Sequence, residues 1–586
     1  MAKRVRAVAA APSLFGEVTV NSSPASAKRG TTIDWTPEQR TGIETVGGGL
    51  LVSAAAGSGK TAVLAARCVH LVCDANEKCE IDELLVVTFT KAAAAKMRQR
   101  IEKALRERLG DSDDARLNKQ IALLDRAQIS TIHSFCSVLL RRHFHLLGID
   151  PNFRTLEEEE SALMRLEVAR AMFAERYEND STGVFQRFID GYVNGEDEKL
   201  IHKLLRTHDM LASLVDPQQW LTQARHRIEE GATKPLSQST LGRELAHLVR
   251  EKLETLRARC IELSGRINEH HDLGPYVDHV ADLLAIVENW REQFGDGRFD
   301  RLAAAIASFD KPKLPTIRGL DQATRELAQA YINSIKKEMS EGQLADLGRF
   351  SETEWREGLA RVSEPANVFL DLVADFSKRY RAAKDEQRAI DFSDLERFAL
   401  QILAERRDGG MLAPTSAAKR CHEQFRHVLI DEYQDVNEVQ NAILCLASRE
   451  CLSCEGAASN LFCVGDVKQS IYRFRLAEPK LFLDRADSWR LKDNGGSVID
   501  LQANFRSRAP LLGVLNGLFQ RLMTKSAAEI EYDRTHQLVP GATYPPANGL
   551  SSFTGMPVEL HLLPPLPHTH SDADAHDEDG DDEADL

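Results

Sequence analysis

The residues best suited to chemistry lie in one short run, Ala54-Ala55-Ala56-Gly57-Ser58-Gly59-Lys60-Thr61. Gly57 and Gly59 let the backbone approach a ligand closely, so successive N–H groups and the start of a following helix can face phosphate oxygens. Lys60 would neutralise the β/γ charge of a nucleotide, and the Thr61 hydroxyl would ligate magnesium. Ala54 stands where the phosphate-loop template has its first glycine, a change that removes no ligand. A flexible Ala/Gly turn is the plain structural alternative. What argues against it is a second group, Ile430-Asp431-Glu432-Tyr433-Gln434-Asp435, which follows the apolar run Val428–Ile430 and sets two carboxylates at a strand end. Asp431 could hold a magnesium shell, and Glu432 could orient and deprotonate an attacking water. By itself such an acidic run reads as a solvated turn. Behind a buried strand, in a chain that also carries Lys60, it reads as the loop's partner.

The elements that must hold these groups are legible in the pattern. Leu50–Ala54 is an apolar run feeding the glycine turn, and Thr61–Val72 has helical spacing, which together predict strand, loop and helix. Ile81–Thr88 followed by Lys91–Leu109 repeats the unit, and Val428–Ile430 and Leu461–Val464 are further buried-strand candidates. Strands alternating with helices predict an α/β fold with a parallel sheet. From about residue 157 to 385 the text changes to long, charged, amphipathic segments such as Ser161–Tyr177 and Ser239–Asn268, predicting an inserted helical domain. Beyond Asn504 a helix over Pro510–Met523 leads to Pro- and Gly-bearing text and an acidic tail. No internal sequence repeat is present.

Composition sets outer bounds. A chain of 586 residues is expected to form three or four structural units. No apolar run of 18 or more residues exists to span a bilayer, so no membrane partner is expected. Met1–Thr32 lacks a signal-peptide core and reads as a disordered leader. Ten cysteines without a secretory signal point to reduced thiols and a cytoplasmic setting. Cys451 and Cys454 have metal-like spacing but no second pair nearby, and a plain loop is the better reading. The net charge of −15 stands at odds with a polyanionic partner, yet nine acidic residues sit in Ser571–Leu586, leaving −6 on the rest. Average charge therefore does not exclude a nucleic-acid track.

Taken together, the motifs resemble those of UvrD-like superfamily 1 DNA helicases, in family order. Trp35-Thr-Pro-Glu-Gln39 resembles the adenine-reading Q motif, and the Ala54–Thr61 loop and Asp431–Asp435 resemble motifs I and II. Thr88–Met97 resembles motif Ia, Ser130–Cys136 the motif after it, and Ala389–Leu395 a further signature. Gly465–Arg475 is similar to motif III, and Leu501–Ser507 to motif IV. Within the family the wording is nearest the AddA helicase–nuclease type, which processes DNA ends with an AddB-like subunit.

The resemblance implies ATP and Mg2+ as cofactors and single-stranded DNA or DNA ends as partner. It puts Gln39 on the adenine edge, Phe505 on the base, Gln469 at the γ-phosphate as sensor and Arg506 as a charge clamp. For DNA it points to Phe89, Thr90, His133, Ser134, Tyr472, Phe474 and Arg475. Aromatic rings suit a translocase, because every base offers a π-face whatever the sequence. Phe135 reads equally well as core. Lys91 and Lys96 depart from the Asn and Glu common at those positions, and add charge beside this track.

The implied fold is a RecA-like parallel-sheet P-loop NTPase domain with a large inserted α-helical domain and the start of a second RecA-like domain. The expected divisions are a leader at 1–32, the first domain's N-terminal part at 33–150, and the helical insert at 151–385. The first domain's C-terminal part follows at 386–500, the second domain's start at 501–566, and the acidic disordered tail at 567–586. Motifs V and VI and a nuclease module are not found after Ser507, so a truncated 3′-to-5′ helicase of recombination and double-strand-break repair is expected. The alternative is an inactive or partner-dependent ATP- and DNA-binding module. A phosphate-loop kinase or GTPase switch is disfavoured by Tyr433-Gln434 and the motif III text.

Overall fold

The computed structural model describes residues 34–544, apart from 111, 194, 270, 318, 320, 408–409 and 492–494. The expected leader, the acidic tail and residues 545–566 lie outside the described residues.

Six strands form the central sheet: β1 (Gly49–Ala54), β2 (Leu84–Thr88), β3 (Gln128–Thr131), β4 (His427–Ile430), β5 (Leu461–Gly465) and β6 (Gly496–Leu501). They run in the order β6-β1-β5-β4-β2-β3, and every pairing is parallel. The four inner strands are the apolar runs of the sequence, because helices cover both faces of the sheet and neither set of alternating side chains meets water. Leu51, Leu85, Val87, Val428 and Ile430 enter one core, while Leu50, Val52, Leu84, Val86 and Leu429 enter the other. The mixed α/β class with a parallel sheet is thus as expected. The edge strands β3 and β6 were not legible, since Gln128, Ser130 and Asp500 break the apolar pattern where only one side is paired.

Between β3 and β4 the chain is mainly helical. It leaves and returns through a parallel stem pairing Arg154–Thr155 with Ala389–Ile390. This stretch holds two apolar cores rather than one: Leu156–Leu221 with Leu370–Ala389, and, nested within, Leu236–Leu344. Helical periodicity shows which face is apolar but not which faces meet, so the sequence suggested one unit. The 35-residue helix Glu352–Glu386 serves both, packing Trp355 and Leu359 on the inner core and Leu370 and Phe376 in the outer.

The Ala389–Leu395 signature has its explanation at the stem. Asp391 caps the helix Phe392–Leu403 and accepts from the buried Lys384 ammonium at 2.8 Å and from the Tyr380 hydroxyl at 2.9 Å. Asp394 takes a second Lys384 contact at 2.6 Å. A buried cation is tolerated because two carboxylates and a phenol surround it, and the network ties the helical stretch to the sheet. After β6, Ala503–Asn504 pairs with Val539–Pro540, and Leu512 and Leu538 pack on Ala55. Among the described residues no helix is long and apolar enough to cross a membrane.

Candidate functional site

The loop after β1 is held from two sides. Helix Pro37–Glu44 starts with a capping box in which Thr36 and Gln39 satisfy each other's backbone N–H groups. The Gln39 amide then donates from Nε2 to the Ser58 carbonyl at 2.8 Å. One amide proton and one carbonyl lone pair of Gln39 stay available, enough for a single edge-on contact. From the other side, Asn504 Nδ2 donates to the Ala56 carbonyl at 2.6 Å and the Phe505 N–H donates to the Gly57 carbonyl at 3.0 Å. Gly57 has φ +71°, and a Cβ there would lie 2.8 Å from Arg506 Cβ and 2.9 Å from Asn504 Nδ2. Glycine is therefore required by both backbone and space. Asn504 also accepts from the N–H groups of Arg506 and Ser507, so it fixes the segment that sets Phe505 and Arg506 beside the loop. Its role is a backbone clamp, which leaves no motif in the sequence.

Lys60 opens the helix Lys60–Cys73 and is 9% exposed. Its ammonium lies 3.0 Å from Glu432 Oε2 and donates to Gln469 Oε1 at 3.3 Å. Glu432 is one of four non-glycine residues with positive φ among the described residues, at φ +51° and ψ +49°, a left-handed geometry that costs an L-residue roughly 1–2 kcal/mol. Its neighbours hold it there. Gln434 Nε2 donates to Glu432 Oε2 at 2.9 Å, and Gln434 Oε1 accepts from the Asp466 N–H at 2.9 Å, joining the ends of β4 and β5. A Cβ on Gly465 would fall 2.4 Å from that same Gln434 oxygen, so the crossing needs glycine. Asp466 in turn accepts from Gln469 Nε2 at 2.6 Å.

Asp431 sits at the end of β4, and its carboxyl is pushed up to about 6 by burial and then by the Glu432 charge. Asp435 is likewise raised to about 6 by burial and Glu432, and its buried Oδ1 meets no partner. Three carboxylates crowd a site whose nearby cation is Lys60. That donor set, with the Thr61 hydroxyl on the same cavity, fits a divalent cation, which prefers carboxylate and hydroxyl oxygen.

This cavity, about 390 Å3, is lined on one side by Thr61, Asp431, Glu432 and Gln469 and on the other by Phe89 and Tyr472. Phe89 stacks on Tyr472 with ring centres 4.7 Å apart. Tyr472 lies 5.8 Å from Phe474, and the Arg475 guanidinium covers both rings. Phe474 is 75% exposed, whereas Phe135 is core. A neighbouring cavity of about 410 Å3 is lined by Thr90, His133, Phe392, Glu396, Asp435 and Arg475, among others. His133 Nε2 pairs with Glu396 Oε1 at 2.9 Å, so its ring is held in that wall. Thr90 caps the helix Lys91–Leu109, and the Ser134 hydroxyl bonds Thr131 Oγ1 at 2.9 Å. Ser134 lines neither cavity, and its hydroxyl serves the start of its own helix.

Arg485 was also not singled out by sequence. Its guanidinium, nearly buried, donates to the Tyr433 hydroxyl at 2.8 Å, Glu450 at 3.2 Å and Asn441 at 3.3 Å. It thereby fixes the residue next to Glu432. Arg485→Met should lower folding stability by ~3–5 kcal/mol, since removing one partner strands a buried carboxylate. Urea denaturation checks this, and a loss below about 1 kcal/mol would show a solvated, dispensable contact.

A mixed α/β fold with a phosphate loop, an acidic strand end and a glutamine sensor position on adjacent parallel strands defines a nucleotide-dependent motor class. Residues 35–489 match the UvrD/REP helicase N-terminal domain, and the chain belongs to that family. Among its relatives, the ATP-dependent helicase/nuclease AddA-type protein of Desulforamulus reducens is 36% identical over 534 residues, covering 90% of this chain and 42% of that protein. The proteins of the same name from Lachnoclostridium phytofermentans and Bacillus licheniformis are each 36% identical, over 87% of this chain and 37% and 41% of their own lengths. The chain spans about two fifths of the length of these curated relatives.

Proposed function

We propose that the chain carries the ATP-hydrolysing lobe of a 3′-to-5′ DNA helicase that processes DNA ends in recombination and double-strand-break repair, alongside a partner subunit. The supporting observation is the cavity that sets Thr61, Asp431, Glu432 and Gln469 opposite Phe89 and Tyr472. In this reading the sheet is the first RecA-like domain, divided at 33–150 and 386–500, the helical stretch 151–385 is its insert, and 501–566 begins a second. Direction, end processing and partner follow from the family resemblance and from the relatives' name, which joins an ATP-dependent helicase to a nuclease.

Each residue then has a task. The Ala54, Ala55, Ala56, Gly57, Ser58 and Gly59 backbone cradles phosphates, and Lys60 exchanges Glu432 for the β/γ oxygens. Gln39 takes the adenine edge and Phe505 its face. Thr61 and Asp431 would hold Mg2+, which when bound neutralises phosphate charge and aids departure of the leaving group. Glu432 orients and deprotonates water, Gln469 contacts the γ-phosphate, and Arg506 offers a bidentate fork. Because Gln469 lies three residues before Tyr472, a change at the nucleotide can move the rings that grip a base.

The DNA side is tested by Phe474→Ala. The ring is exposed, so the fold is expected to persist, while loss of one stacked base should weaken oligo(dT) binding by roughly 5- to 150-fold, from ~1–3 kcal/mol per stack. Fluorescence anisotropy with labelled oligo(dT) reads this, and unchanged affinity would take Phe474 off the DNA track.

A further inference from the structure

At the sheet edge opposite Lys60, where β1, β4 and β5 begin, lies a cavity of about 550 Å3 lined by Arg67, Arg426, His427 and Arg449. Gly47, Gly48 and Ala457 on its walls bring little side-chain bulk. Arg67 is 3% exposed. Its Nη1 donates to the Gly42 and Ile43 carbonyls at 2.9 and 3.3 Å, its guanidinium lies over the Phe462 ring at 4.6 Å, and its buried Nε meets no partner. Arg449 also has a buried Nε without a partner. Among the described residues, the one ion pair at this cavity joins Arg426 to Glu77 at 3.0 Å, and Glu77 is 87% exposed.

This arrangement is costly as it stands. A buried guanidinium without a counter-charge is strongly disfavoured, and proteins pair such a group or give it a ligand. Burial brings Arg67 down to about 10, which still leaves it charged at neutral pH. His427 is brought down to about 4 by burial, then by the charges of Arg67, Arg426 and Arg449. Its imidazole is therefore neutral near pH 7 and able to share a hydrogen bond with an anion, while the surroundings are positive.

We infer that this cavity is an oxyanion site, in which Arg67, Arg426 and Arg449 take a small phosphate-class anion on the face of the sheet away from the phosphate loop. Arginine suits this because its planar fork offers paired N–H groups to oxyanion oxygens. The site also has a route to the loop. Arg67 lies on the same helix as Lys60, about two turns on, and it caps the carbonyl end of the helix that begins with Gln39. An anion that fixes Arg67 would stiffen both helices flanking the loop. The site itself does not depend on the proposed function.

Two sources could supply the oxyanion: free phosphate, or carboxylates of the chain's own Ser571–Leu586 run. The test is the rise in unfolding temperature of the full chain with sodium phosphate, against sodium chloride at matched ionic strength. All proteins carry Lys60→Ala to weaken phosphate binding at the loop. A saturable rise is expected, and Arg449→Gln and Arg426→Gln should each weaken apparent phosphate affinity about tenfold or more, as loss of one charge-assisted contact requires. These rim positions are chosen because Arg67→Gln would also uncap a helix. A full-length variant with the nine tail carboxylates changed to amides separates the sources: tighter phosphate binding identifies the tail as occupant, and unchanged binding identifies free phosphate. No phosphate-specific rise, or the same affinity in both rim variants, overturns the proposal.

Discussion

Glu432→Gln is expected to stop turnover while sparing binding: kcat for ATP hydrolysis falls ~10²–10⁴-fold, as loss of a general base does, and Mg-ATP affinity stays within about threefold. The substitution is nearly isosteric, so the left-handed turn that aims residue 432 is kept by the same neighbours. Tyr433 remains anchored by Arg485, and the Gln434–Asp466 bond does not involve the exchanged atom. What is lost is a carboxylate able to take a proton from water, together with the 3.0 Å contact to Lys60. Freeing Lys60 from that contact favours nucleotide binding slightly, which is why the affinity should not fall. Single-turnover hydrolysis with equilibrium binding by a fluorescent nucleotide separates the two quantities. If affinity collapses along with rate, Glu432 holds the site together instead of acting on water.

Lys60→Ala should give a different signature, with losses in both binding and rate. The ammonium is the cation within reach of Glu432 and Gln469, and three carboxylates remain when it is gone. A phosphate chain entering the altered site meets uncompensated negative charge, so KM rises. The developing charge of the transition state loses a preorganised partner as well, an effect worth ~10²–10³ in kcat. Steady-state kinetics with and without saturating magnesium read both. A variant with wild-type KM would show that Lys60 serves the fold through its ion pair and not the nucleotide.

The sequence carried the inner sheet and the loop chemistry well, for a physical reason. Strands β1, β2, β4 and β5 are buried on both faces, so they appear as unbroken apolar runs, and the helix after each begins where the run meets Gly59, Thr90 or Asn437. The edge strands carried no such signal. The helical stretch showed its amphipathic faces but not their division into two cores, because that depends on which faces meet. At the site, carboxylates and the lysine were legible by type. Asn504, Gln434 and Arg485 were not, since a clamp on backbone or on another side chain leaves no spacing rule in the sequence. Thr90, His133 and Ser134 illustrate the converse. Each lies in a motif that resembles a DNA contact, yet in the structure each has a partner within the fold: a helix cap, Glu396 and Thr131 respectively.

The central claim is that one cavity joins a nucleotide site to an aromatic grip on DNA. Its most direct test is ATP hydrolysis by this chain, with magnesium, as oligo(dT) is added, alongside Lys60→Ala. The account predicts a rate that climbs with DNA and saturates near the oligo(dT) binding constant, with no climb in Lys60→Ala. Bound ATP and bound oligo(dT) with a hydrolysis rate indifferent to DNA would contradict it.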